Sequence, residues 1–192
     1  MWRRLKWTAI GLVLILAGGL VWCIVAMRRA DHLTLVIYAS SFTQPAAWVI
    51  EQGLYRLHPT PEEIQEFNRE AGAETLITVA QEPLARRLLA HYISAGLDIN
   101  RPDLRSPLLL TALHSVSNYD KSWYLRVLLE HGARTNVRDA RGQTPLDLAR
   151  KYQNRFPDDP EAAEKVRLLE AAERAQSHAA AASPAASAPA PR

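Results

Sequence analysis

The sequence predicts an all-α protein in which a short stack of helix-turn-helix units follows one transmembrane helix. Residues 92–100 (YISAGLDIN) align without a gap on residues 128–136 (LLEHGARTN), 36 positions later, and each segment places a glycine after an apolar helical run. Because glycine readily adopts the left-handed conformation that closes a helix, each segment predicts a helix end followed by a turn. The uncharged apolar run 7–27 predicts the transmembrane helix.

The apolar run contains 21 residues, and about 20 helical residues are enough to cross a hydrocarbon core. Basic residues flank both ends, and tryptophans lie near them, as is typical of interfaces. We therefore expect a single-pass membrane protein of the bacterial inner membrane, with residues 1–6 as a cytoplasmic basic tail and the repeat domain in the periplasm. The alternative is a cleaved signal peptide, but its best cleavage site, residues 24–26, is followed almost at once by Arg28 and Arg29.

Charge and cysteine content exclude several classes of function. The chain carries a formal charge of +3, but five of its 23 Lys and Arg lie in residues 1–29. Residues 30–192 contain the remaining 18 Lys and Arg and all 20 Asp and Glu, so their formal charge is −2. Such a balanced domain lacks the basic face that nucleic-acid binding requires, so we expect no nucleic-acid partner. Cys23 is the single cysteine, which excludes an intrachain disulfide and a cysteine metal cluster.

A family resemblance is found in residues 123–149, which include Thr-Pro-Leu-Asp at residues 144–147. They are similar to the ankyrin repeat, whose first helix begins with Thr-Pro-Leu-His, with a hydroxyl cap and a proline in the first turn. The resemblance implies first helices at 75–80, 106–112 and 144–149, with inserted loops at 115–122 and 153–160. It also implies a protein-binding scaffold whose turns between repeats project as fingers.

The predicted organisation follows from these repeats. Residues 28–45 form either a juxtamembrane stalk or a degenerate helix, and the ankyrin repeat domain covers 46–173. Within it, a capping region at 46–73 precedes repeats at 74–102, 103–138 and 139–173. Thr60 and Glu63 predict a capping box at a further helix start. Residues 174–192 are rich in alanine, serine and proline, and we expect them to be disordered.

Candidate partner-binding residues lie on the fingers and in or beside the insertion at 115–122: Arg101, Arg105, Tyr119, Trp123, Arg138 and Arg141. The planar guanidinium suits carboxylates, and exposed aromatic side chains are common binding anchors, so these residues predict an acidic protein partner. The alternative is that Asp139 braces its own turn and that the arginines are simply solvated.

No pattern in the chain predicts catalysis. His91, His114 and His131 form no metal-binding pair at helical spacing, and no phosphate-loop or nucleophile motif occurs. We therefore expect a non-enzymatic protein without metal, cofactor or small-molecule substrate, which mediates protein–protein interaction as an immunity or accessory protein for a periplasmic partner. The alternative function is a structural component of a membrane complex in which the transmembrane helix makes the specific contacts.

Overall fold

The computed structural model describes residues 2–70, 72–118 and 121–182, with all side chains in these ranges except those of residues 2–13, 16 and 182. Within these ranges the regular structure is helical, apart from one isolated antiparallel bridge between Pro102 and Thr111. The helices are α1 (Trp2–Arg29), α2 (His32–Ser41), α3 (Ala46–Leu57), α4 (Pro61–Arg69), α5 (Gly72–Val79), α6 (Glu82–Ser94), α7 (Ala112–Val116), α8 (Ser122–Glu130), α9 (Pro145–Arg155) and α10 (Pro160–Ala182). The all-α prediction is confirmed.

The chain divides into two compact units, residues 1–63 and 64–192. In the first unit, α1 and α2 both pack against α3, and Leu35, Val36 and Leu54 are buried. Asp31 caps α2 by accepting a hydrogen bond from the backbone N–H of Thr34 at 3.2 Å. Of the two alternatives for residues 28–45, the structure therefore shows a helix.

The prediction of a transmembrane helix over residues 7–27 is contradicted. No helix in the described part of the chain is both long and apolar enough to cross a membrane. The predicted single-pass topology, inner-membrane location and periplasmic domain lose their basis with the span.

The second unit is built from stacked helical hairpins. Its helices pair in chain order, α5 with α6, α7 with α8, and α9 with α10. The first helices of the hairpins also contact one another, α5 with α7 and α7 with α9, as do the second helices, α6 with α8 and α8 with α10. Each hairpin thus buries its apolar side against its neighbours in two parallel rows of helices.

Leucines hold this stack together. Nine leucines on these helices contribute, of which six are buried and three are half-buried. The buried ones are Leu88, Leu89, Leu125, Leu128, Leu146 and Leu169, and the half-buried ones are Leu129, Leu148 and Leu168. Since full burial of a leucine side chain contributes roughly 1.5–3 kcal/mol, these positions supply much of the driving force for stacking.

The predicted helix ends at Gly96 and Gly132 are confirmed. The two glycines have φ angles of 109° and 87°. After α6, the N–H of Leu97 donates to the carbonyl oxygen of Tyr92 at 2.9 Å, and after α8 the N–H of Ala133 donates to that of Leu128 at 3.1 Å. The same closing bond therefore recurs at the 36-residue offset seen in the sequence.

The capping box predicted at Thr60 is also confirmed. The N–H of Thr60 donates to Glu63 Oε2 at 2.7 Å, and the N–H of Glu63 donates to Thr60 Oγ1 at 3.3 Å. The two bonds satisfy amides that have no partner within α4, so α4 begins where its sequence indicates.

Other boundaries differ from the prediction. Residues 106–111 form a turn instead of a first helix, and α7 begins only at Ala112, so the insertion at 115–122 starts inside α7. The predicted loop 153–160 is reduced to residues 156–159 because α9 continues to Arg155. The tail predicted to be disordered from 174 is helical to Ala182, and residues 183–192 lie outside the described residues.

Candidate partner-binding surface

Two loops of the second unit carry most of the predicted site residues. Loop A comprises residues 95–111, between α6 and α7, and loop B comprises residues 131–144, between α8 and α9. Each loop contains one of the left-handed glycines near its start, and each ends at the threonine that caps the next helix, Thr111 or Thr144. The loops are thus equivalent parts of consecutive hairpins.

The loops lie side by side because they are hydrogen-bonded to each other. The N–H of Arg134 in loop B donates to Oδ1 of Asn100 in loop A at 2.7 Å. The N–H of Ala140 donates to the carbonyl oxygen of Leu108 at 2.9 Å. Groups exposed on both loops therefore belong to one continuous surface, which we call the finger surface.

The side chain of Asn68, at the end of α4, accepts a hydrogen bond from a backbone N–H of loop A, as Asn100 does from loop B. The N–H of Asp98 donates to Asn68 Oδ1 at 2.7 Å, and Asn68 Nδ2 donates to the carbonyl oxygen of Gly96 at 3.1 Å. Asp98 and Arg134 are 36 residues apart, so two asparagine side chains hold equivalent amides of successive loops. These two equivalent hydrogen bonds, which we call the asparagine ladder, fix the spacing between successive loops.

The acidic side chains of the loops are directed at the backbone. Asp139 is only 8% exposed, and its Oδ1 accepts hydrogen bonds from the N–H groups of Arg141 and Gln143, both at 2.8 Å. Asp103 Oδ1 accepts from the N–H of Arg105 at 2.9 Å and lies 3.3 Å from its Nε. Both carboxylates brace their own turns, as the alternative interpretation of the sequence expected for Asp139.

The arginines of the loops differ in how far their charge is neutralised. Arg105 forms ion pairs with Asp103 and, at 3.0 Å, with Glu70. Arg101, Arg138 and Arg141 are exposed, and the described residues provide none of them with a salt bridge, although Arg138 donates to the carbonyl oxygen of Gly142 at 2.6 Å. The finger surface is therefore positively charged at these three positions.

Sequence reasoning missed two features of this surface. Arg134 is also exposed, and its alignment with Asp98, directly after the helix-closing turn, was the available signal. Leu104 and Leu109 are 54% and 40% exposed, and Leu109 has a φ angle of 49°. A left-handed conformation is unfavourable for leucine and is often retained near functional sites, so loop A combines exposed apolar surface with backbone strain.

Trp123, one of the two predicted aromatic residues, lies outside the loops that form the finger surface. Tyr119 lies outside the described residues. Trp123 is half-buried on α8, and its ring stacks on that of Tyr124 with centroids 4.2 Å apart. The structure thus places Trp123 against its chain neighbour on α8, outside loops A and B.

The buried side chain of His114 makes contacts that connect α7 to loop B. Its ring Nδ1 accepts from the N–H of Thr111 at 3.3 Å, so the proton is on Nε2, which donates to the carbonyl oxygen of Gln143 at 3.1 Å. Burial lowers the pKa of His114, against the raising effects of the Gln143 carbonyl and Asp139. A neutral histidine therefore connects α7 to loop B.

In the described part of the chain, no group of three or more His, Cys, Asp and Glu is arranged to hold a metal ion. Comparison with protein-family models gives no match, and comparison with curated proteins gives none either.

Proposed function

We propose that the chain is a non-enzymatic repeat protein of the ankyrin type that binds another protein through the finger surface. The observation that carries this proposal is the division of charge on loops A and B. Asp103 and Asp139 are used by backbone amides, whereas Arg101, Arg138 and Arg141 extend to solvent without salt bridges in the described structure. Such a surface favours carboxylates on a partner.

The ankyrin assignment is supported by the way the first helices begin. Thr144 and Asp147 form a capping box at α9, and Thr111 and His114 form the corresponding box at α7. A Thr-x-Leu-His or Thr-x-Leu-Asp start, a second helix closed by a left-handed glycine and a projecting loop then recur in order. Stacked units with these features present their loops along one edge.

The partner that fits best is an acidic segment with at least one apolar side chain. Exposed arginines attract its carboxylates, while Leu104 and Leu109 offer apolar contact between them. Charge sets orientation and association rate, and buried apolar contacts supply most of the affinity.

A peptide-display selection on the full chain tests this function. We expect enrichment of acidic peptides that contain an apolar residue. Substituting Arg101, Arg138 and Arg141 together by alanine should weaken their binding about 10- to 100-fold, since three exposed pairs contribute roughly 0.5–1 kcal/mol each. The matched control substitutes Lys151, Arg155 and Arg167, which are exposed on α9 and α10, and removes the same charge elsewhere. Equal weakening by both triple variants, or enrichment without acidic residues, contradicts the proposal.

Immunity and accessory roles remain distinguishable proposals within this function. A neutralising protein abolishes the activity of its bound partner, whereas an accessory protein leaves that activity unchanged or raises it. An activity assay of the partner with and without this chain separates the two roles.

A further inference from the structure

Two histidines and one glutamate meet in the interior of the first unit, which the finger surface does not involve. The side chain of His58 is 2% exposed, that of His32 9% and that of Glu63 17%. His58 Nδ1 lies 2.8 and 3.0 Å from the two carboxylate oxygens of Glu63, and His32 Nδ1 lies 3.3 Å from Glu63 Oε1. One carboxylate therefore contacts two buried imidazole rings.

The second nitrogen of His58 faces the end of α1. Its Nε2 lies 3.1 Å from the carbonyl oxygen of Met27, in the last turn of that helix. Helix α1 approaches α3 closely at the same place, since a Cβ atom added to Gly53 would lie 2.6 Å from Met27 Sδ. The His58 ring is thus held between the end of α1 and the Glu63 carboxylate at the start of α4.

These contacts require a particular protonation state. A carbonyl oxygen only accepts hydrogen bonds, so His58 Nε2 must carry a proton to bond Met27. An ionised carboxylate also only accepts, so Nδ1 must carry one to bond Glu63. A neutral imidazole has a single N–H, and only the imidazolium can make both bonds. Glu63 Oε2 also accepts from the N–H of Thr60 at 2.7 Å, so the carboxylate acts as an acceptor there too.

We propose that His58 and Glu63, assisted by His32, form a proton-operated clasp that holds the end of α1 against α3. When His58 loses a proton, one nitrogen presents a lone pair to an acceptor. The Glu63 bond persists because the capping box fixes that carboxylate, so the bond to Met27 breaks. The end of α1 then moves away from His58.

The surrounding charges are consistent with this device. From α2, Asp31 Oδ1 lies 3.5 Å from His32 Nδ1, and its other oxygen caps the helix. On α3, Glu51 accepts a hydrogen bond from Tyr55 at 3.2 Å, and α1 contributes the exposed Arg28 and Arg29. The clasp is therefore closed while His58 carries both ring protons and Glu63 is ionised, and it opens as the pH rises.

Spin-label distances within the first unit test the clasp. Cys23 on α1 is the single cysteine of the chain, so Arg56→Cys on the exposed face of α3 completes a unique label pair. In the full chain at pH 5.5 we expect one narrow distance distribution, and at pH 8 a broader and longer one. His58→Gln should abolish this difference, whereas the control His178→Gln, at an exposed position on α10, should retain it.

The same distribution at both pH values, or a pH response retained by His58→Gln, overturns the proposal. Loss of the response on adding EDTA also overturns it, because a metal ion would then occupy the place of the proton. Should His58→Gln fail to fold, ¹⁵N NMR of the unsubstituted protein decides the matter. At pH 5.5 both ring nitrogens of His58 must be protonated, and a neutral ring beside docked α1 contradicts the clasp.

Discussion

The Nε2 atom of His114 lies 3.1 Å from the carbonyl oxygen of Gln143, which connects the first helix of one hairpin to the loop of the next. The ring is fully buried, and its other nitrogen accepts from Thr111. This histidine is therefore neutral, whereas His58 in the first unit needs two ring protons to make its contacts. The two histidines should respond to pH in opposite directions.

The stability of the second unit should fall in mild acid because of His114. Burial lowers the pKa of the folded ring, so the unfolded chain takes up the proton first as pH decreases. This contribution is complete above about pH 6.5 and is lost below it, with a slope of at most about 1.4 kcal/mol per pH unit. Urea unfolding at pH 7.5, 6.5 and 5.5 measures the slope. His114→Gln should flatten it, His178→Gln should not, and an unchanged slope in His114→Gln refutes the assignment.

Removing the side-chain amide of Asn100 should destabilise the contact between loops A and B. Asn100→Ala leaves the N–H of Arg134 without its partner and should cost about 1 kcal/mol in the free energy of unfolding. Asn136 occupies the equivalent position 36 residues later and is exposed, so Asn136→Ala should change stability by less than about 0.5 kcal/mol. Chemical unfolding of both variants checks the ladder, and equal effects would argue against it.

Leu109 should be replaceable by a residue that readily adopts its left-handed backbone conformation. Asparagine adopts left-handed conformations more easily than leucine, so Leu109→Asn should leave stability unchanged or raise it by up to about 1 kcal/mol. Leu109→Val, with a β-branched side chain, should lower it. If the strain serves binding, Leu109→Asn should nevertheless bind the selected acidic peptides more weakly. Thermal unfolding and peptide titration of both variants test this trade-off.

Gly72 should tolerate no side chain. A Cβ atom added to Gly72 would lie 1.8 Å from Cδ1 of Phe67, whose ring packs edge-on against Tyr92 at 5.4 Å. Gly72→Ala should therefore destabilise the unit by about 1–3 kcal/mol through overpacking. Gly18→Ala on α1, where none of the described residues lies within 4 Å of the added atom, is the control and should not destabilise. Adding Phe67→Leu to Gly72→Ala should restore part of the loss, and no restoration would point to another cause.

The contrast between α9 and α7 shows what limits prediction from sequence. At α9, Thr144 and Pro145 combine a hydroxyl cap with a proline in the first turn, and the helix begins there. At α7, Ser106 and Pro107 offer the same local signal, yet residues 106–111 form a turn. The later signal, Thr111 with His114, prevails because loop contacts occupy the preceding backbone. Leu108 and Leu110 use their carbonyl oxygens to accept from Ala140 and Asp103, both at 2.9 Å.

Some features of the finger surface could also be predicted from the sequence, and others could not. The arginines could be placed on loops from the repeat alone, because a glycine-closed helix and a capped helix bracket each loop. The sequence could not show that Arg105 is paired with Glu70. This ion pair joins residues whose spacing follows no short-range rule.

By itself the sequence determined the helical class, the glycine-closed helix ends, the capping box at Thr60 and the hydroxyl cap at Thr144. Each of these follows from periodicity or from interactions within a few residues. Only the tertiary structure decided where α7 begins, which loop charges remain exposed, and how His58 comes to lie between Met27 and Glu63. Those outcomes depend on long-range hydrogen bonds and burial, which arise only when separate helices have packed together.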